Sequence, residues 1–188
     1  MGTSFNDLNP GDCLIIVDVQ VDFCPGGKLP IENGDQVVPV LNQWIDAAEK
    51  KDVSIYLSRD WHPKNHPSFE IHGGLWPVHC LQDSEGARFH PALHLPENGI
   101  IITKGVRFDQ DQNSAFDQTG LAHHLRRQGA SRVFIGGLAL DVCVLATALD
   151  ARKAGFEVFI IQEACRPVTL QGGKDAVSKM SEAGILVV

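Results

Sequence analysis

The chain has 188 residues, 44% hydrophobic and 21% charged, which suffices for one substantial core and is too little for two. A formal net charge of −7 argues against a nucleic-acid partner, because neutralising phosphates requires clustered Lys and Arg. No apolar run reaches the roughly 20 residues that span a bilayer. The five cysteines show no CxxC pairing and suit free thiols in a reducing cytoplasm.

Residues 1–11 carry neither a basic nor an apolar region and read as an N-terminal tail rather than a signal peptide. Residues 13–18, Cys-Leu-Ile-Ile-Val-Asp, form a compact apolar run ending in an acid, the pattern of a buried parallel strand. Helical spacing follows over 37–51, with Val37, Val40, Leu41, Trp44, Ile45 and Ala48 on one side, and 53–59 reads as a second strand. Residues 60–98 are rich in Pro, Gly and His with little periodicity, and so long a loop inside a domain is usually functional. Strands are then expected at 99–104, 132–136, 156–162 and 185–188, and helices at 120–128, 141–154 and 171–182. This alternation predicts a single α/β domain over 1–188: three layers, doubly wound, with a mostly parallel sheet and helices on both faces.

In such a sheet, ligands bind outside the carboxyl ends of the strands. The residues expected there are Asp18, Asp60 with His62, Lys104, and the Gly136-Gly137 segment leading to Cys143. A cysteine near a helix start feels the positive end of the helix dipole, which favours thiolate, although free cysteines are also common packing residues. A carboxylate at Asp18 can take a proton from the thiol and return it to a leaving amine, and an ammonium at Lys104 can steady negative charge. Alone, Asp18 reads more readily as a turn or capping acid and Lys104 as a solvated lysine; the topology that brings them to one edge with Cys143 is what points to chemistry. Asp60 and His62 alternate at a strand end and share a direction, with His66 and His79 further on. A carboxylate with imidazoles suits a divalent ion such as Zn, Fe or Mn; the alternative is a His-rich loop without metal. Phe23, Trp61 and Trp76 offer rings for a flat ligand or for closing the core under the loop.

Five segments in order resemble the nicotinamidase branch of the isochorismatase-like cysteine hydrolases. They are Val17-Asp-Val-Gln-Val-Asp-Phe-Cys-Pro-Gly-Gly27, Arg59-Asp-Trp-His-Pro-Lys-Asn-His-Pro-Ser-Phe69, Trp76-Pro-Val-His-Cys80, Ile102-Thr-Lys-Gly105 and Gly136-Gly-Leu-Ala-Leu-Asp-Val-Cys-Val144. The resemblance implies the isochorismatase-like hydrolase fold and a catalytic triad of Asp18, Lys104 and Cys143. It further implies metal ligands Asp60, His62 and His79, with His66 at a position that ligates in some members. The ion it implies is one divalent metal, zinc first, with iron and manganese as alternatives. Phe23, Trp76, Leu138 and Ala139 would contact substrate, the Leu138–Ala139 peptide would be cis, and the N–H groups of Ala139 and Cys143 would form an oxyanion hole. The implied reaction converts nicotinamide, and also pyrazinamide, to the acid and ammonia through a thioester, in NAD salvage; self-association is a habit of the family. The rivals are another small-amide or carbamoyl hydrolase on the same scaffold, and a non-catalytic metal- or ligand-binding module. Two positions depart from the family pattern: Val21 stands where Asn is usual, and Asn113 where many relatives carry an aromatic ring, which bears on substrate preference.

Overall fold

The computed structural model describes residues 4–188. Six parallel strands form one sheet, β1 (Cys13–Val17), β2 (Ser54–Asp60), β3 (Ile100–Lys104), β4 (Arg132–Leu138), β5 (Glu157–Arg166) and β6 (Leu186–Val187), in the order β3-β2-β1-β4-β5-β6. The chain winds outward from β1 to β3, then restarts beside β1 and winds the other way. The two directions diverge between β1 and β4, the place where a doubly wound sheet leaves a crevice.

The period-2 alternation of β1 sorts its side chains between two cores. Leu14 and Ile16 pack with Leu41, Trp44, Ile45 and Ala48 of helix α1 (Val37–Lys50) on one face. Cys13, Ile15 and Val17 pack on the other face with α2 (Leu121–Arg127), α3 (Leu145–Lys153) and α4 (Leu170–Glu182), through Leu121, Leu125, Ala148, Ala151, Ala176 and Met180. Because both faces are covered, β1 is buried at every residue, which explains its unbroken apolar sequence. Pro39 sits in the first turn of α1, where its missing N–H breaks no helical hydrogen bond. Thr169 caps α4, its side chain accepting from Gly172 N at 2.9 Å.

Some boundaries differ from those expected. The helix expected from residue 141 begins instead as a π-helical turn, Leu140–Val144, before α3. β5 runs to Arg166, beyond the expected end at 162, because it stays paired to β4 after an irregularity between Ile135 and Gly137. Residues 4–11, expected as a tail, pack onto the domain. Leu8 is buried in the α1-side core, Phe5 meets Trp44 edge-on at 6.1 Å, and Lys51 donates to Leu8 O at 2.9 Å. Among the described residues no helix is long and apolar enough to cross a membrane.

Candidate active site

Parallel register brings the strand ends together. Val17 lies opposite Ser58 on one side and Gly137 on the other, and Asp60 lies opposite Lys104. Asp18 therefore leaves β1 directly beside β2 and β4. It does so with φ of 48°, a left-handed conformation that costs a non-glycine residue roughly 1–2 kcal/mol. Gly137 makes the close approach of β4 workable, since a Cβ there would collide with the Val17 backbone.

Lys104 is the hub. Its side chain is fully buried, and its Nζ lies 2.8 Å from Asp18 Oδ2, 2.6 Å from Asp60 Oδ1, 3.2 Å from Gln112 O and 3.5 Å from Cys143 Sγ. What reads along the sequence as two constellations is thus one network joined by a single ammonium. Burial alone would strip the lysine's proton, but Asp18 and Asp60, with Cys143, reverse this and hold its pKa well above the usual lysine range. At Asp60 burial opposes the charge and is outweighed by Lys104 and His62, so the carboxyl lies far below its usual range. Asp18 goes the other way. Burial pushes its pKa up, and Lys104 only partly offsets this because Asp60 adds repulsion.

Cys143 sits in the π-helical turn with 6% exposure. Burial pushes its thiol pKa well above the ordinary value; Lys104 lowers it, and Asp18 and Asp60 raise it again. Burial thus opposes the thiolate that a helix start favours, and the thiol stands beside a carboxylate whose own proton affinity is raised. Oxygens of Asp18 and Asp60 and the Cys143 sulfur lie within 4.8 Å of one another. Asp18 Oδ2, despite its ion pair, has no aligned hydrogen-bond donor, which leaves a lone pair for the thiol proton. The Leu138–Ala139 peptide is cis.

The three imidazoles are each tied at Nδ1. His62 Nδ1 meets Gly105 O at 2.9 Å, His66 Nδ1 meets Ser68 Oγ at 2.7 Å, and His79 Nδ1 meets Pro77 O at 2.7 Å. The carbonyl partners of His62 and His79 require a proton on Nδ1 and so leave the Nε2 lone pair free for a metal ion. Ligand atoms of Asp60, His62 and His79 lie within 4.8 Å of one another, and a second group joins His62 and His66 to Asp111. His66 Nε2 is buried and has no partner. Burial lowers the pKa of His66 to about 4, helped by His62, and also lowers that of His79. Both shifts favour the neutral form that a ligand needs, whereas at His62 the Asp60 carboxylate overcomes burial and raises the pKa. An orphaned imidazole nitrogen grouped with His62 and Asp111, next to the Asp60, His62 and His79 group, fits a divalent ion of the Zn, Fe or Mn class.

A small cavity opens over these groups. Phe23, Trp76 and Ala139 line it beside Cys143, Asp60, His62 and His79. Leu138, expected among the substrate contacts, does not line it. Its side chain is wholly buried in the α1-side core, because alternation along β4 turns it away from the crevice. Trp61 is also outside the cavity, stacked under the Arg59 guanidinium at 4.0 Å.

Several positioning residues escaped the sequence reading. Gln20, fully buried, accepts from Asp60 N at 2.8 Å and donates to Asp60 O at 2.8 Å and Ala87 O at 2.9 Å, clamping the backbone of a ligand candidate. Asp22 accepts from Cys80 N at 2.7 Å and so fixes the segment carrying His79. Ser58 donates to Asp18 Oδ1 at 2.6 Å. A signal for the first two exists: Asp18, Gln20 and Asp22 place a polar residue at every second position of an otherwise apolar run.

An isochorismatase domain model matches residues 12–188. A nicotinamidase of Acinetobacter baylyi is 38% identical over 195 residues, covering 92% of this chain and 89% of its own. Among solved structures, the pyrazinamidase of Pyrococcus horikoshii in complex with zinc superposes with a TM-score of 0.92 at 44% identity, covering 95% of this chain and 99% of its own. PnC1 from L. infantum in complex with nicotinate gives a TM-score of 0.86 at 39% identity, covering 95% of this chain and 92% of its own.

Proposed function

The chain belongs to the isochorismatase family, and on that footing we propose that it is a metal-assisted cysteine amidohydrolase converting nicotinamide to nicotinate and ammonia, with pyrazinamide as a second substrate. The observation that carries this reading is Lys104, a buried ammonium within 2.8 Å of Asp18, 2.6 Å of Asp60 and 3.5 Å of the Cys143 sulfur. No packing requirement accounts for such a cluster, and removing water from several charges is costly unless they act together.

The flat ring enters between Phe23 and Trp76. Asp60, His62 and His79 would hold the metal, with His66 as a further donor; zinc is the first choice, supported by the zinc complex of the P. horikoshii relative. When bound, the ion supplies positive charge that orients and polarises an electron-rich ring nitrogen. Asp18 takes the thiol proton while Lys104 stabilises the emerging thiolate. Sulfur attacks the carboxamide carbon, and the N–H groups of Ala139 and Cys143 receive the oxyanion. Asp18 returns its proton to the nitrogen, the C–N bond breaks and ammonia leaves a thioester. Water, giving its proton to Asp18, then releases nicotinate and restores the thiol.

Rapid-quench mass spectrometry with nicotinamide tests this directly. The wild-type protein should carry a nicotinoyl adduct on Cys143 during turnover. The Cys143→Ala protein should stay folded, form no adduct and release no ammonia; turnover retained in that variant would reject the covalent route.

A further inference from the structure

The loop after β3 is fixed to the catalytic network through Gln112. This buried residue accepts from Lys104 Nζ on its carbonyl at 3.2 Å, accepts from Val106 N on its side chain at 3.1 Å, and donates to Asp117 O at 2.9 Å. The next residue, Asn113, is thereby held at the cavity wall, with Oδ1 3.8 Å from Cys143 Sγ. That contact is the carboxamide's sole hydrogen bond among the described residues. Half-buried at the wall, the carboxamide keeps acceptor capacity for whatever the nucleophile attacks.

We propose that Asn113 Oδ1 accepts an N–H of the substrate's amide nitrogen, making Asn113 a substrate-positioning residue that selects primary carboxamides. The inference rests on the amidohydrolase reading and adds a contact to it. As the S–C bond forms, the thiol proton passes to Asp18, and the nitrogen of the tetrahedral adduct carries two hydrogens and one lone pair. That lone pair must meet the proton on Asp18 before the C–N bond can break. Asp18 approaches the sulfur from the end of β1, within 4.8 Å, and Asn113 from the loop after β3. With one hydrogen held by Asn113, the nitrogen cannot turn freely and its lone pair is presented to Asp18. Proton transfer then gives ammonia and the thioester. A leaving group without N–H has no use for this contact.

The test compares nicotinamide with an activated nicotinoyl thioester, whose leaving thiolate has no N–H, in metal-loaded wild-type, Asn113→Leu and Asn113→Asp proteins. Leu keeps the bulk and removes the acceptor; Asp keeps the acceptor oxygen. Asn113→Leu should lower kcat/KM for the amide about 10- to 100-fold and leave that for the thioester within about twofold. Asn113→Asp, whose charge slows both substrates, should keep the wild-type amide-to-thioester ratio. Equal losses on both substrates in folded Asn113→Leu, or no loss on either, would overturn the proposal. So would a wild-type protein that hydrolyses the amide and ignores the thioester. A wild-type protein inert toward both would instead reject the amidohydrolase reading, and this inference with it.

Discussion

Removing the Lys104 charge while keeping its bulk, as in Lys104→Met, would leave Asp18 and Asp60 as buried carboxylates facing each other without a cation. Breaking a buried ion pair from one side costs about 3–5 kcal/mol, so the urea midpoint should fall clearly and turnover should vanish. A Lys104→Met protein as stable as the wild type would mean that the two carboxyls are protonated or solvated at rest. Gln20 makes a quieter prediction. Gln20→Leu leaves the N–H and C=O of Asp60 and the C=O of Ala87 without partners, and should cost at least about 2 kcal/mol in chemical denaturation. At this scale the sequence was only partly legible. Asp18, Lys104, Cys143 and the imidazoles were marked by standing at strand ends or in the Pro- and His-rich loop. Their coupling was not, because Lys104 and Asp60 lie 44 residues apart and meet only through strand register.

Elements decide how rigidly those side chains are held. Gly105, directly after β3, has φ of 69° and offers its carbonyl to His62 Nδ1; a Cβ there would run into the His62 ring. Gly105→Ala should therefore lower metal affinity about 10- to 100-fold, the usual effect of disturbing a partner of a ligating histidine, as read by competition with a chromophoric chelator. Unchanged affinity would mean that His62 is not a ligand. Strands and amphipathic helices were readable because burial imposes periods of 2 and 3.6 on the sequence. The π-helical turn around Cys143 was not readable. Leu140 and Val144 are apolar in either a helix or a π turn, so hydrophobic pattern does not separate them.

At the scale of the whole molecule, the divergence of winding between β1 and β4 accounts for the location of the site. The connection from β2 to β3 contains only short 3₁₀ turns, and it carries three imidazoles of the candidate metal site, His62, His66 and His79, together with Trp76 of the cavity wall. A segment with so little regular structure should depend on its ion. Stripping the metal should lower Tm, and metal at 100 times its dissociation constant should restore about 2.7 kcal/mol of stability. The most direct test of the account is ammonia release from nicotinamide by the purified protein as metal-loaded, stripped and reloaded. The loaded protein should release ammonia, lose that activity on stripping and regain it on reloading. No release from metal-loaded, folded protein would contradict it.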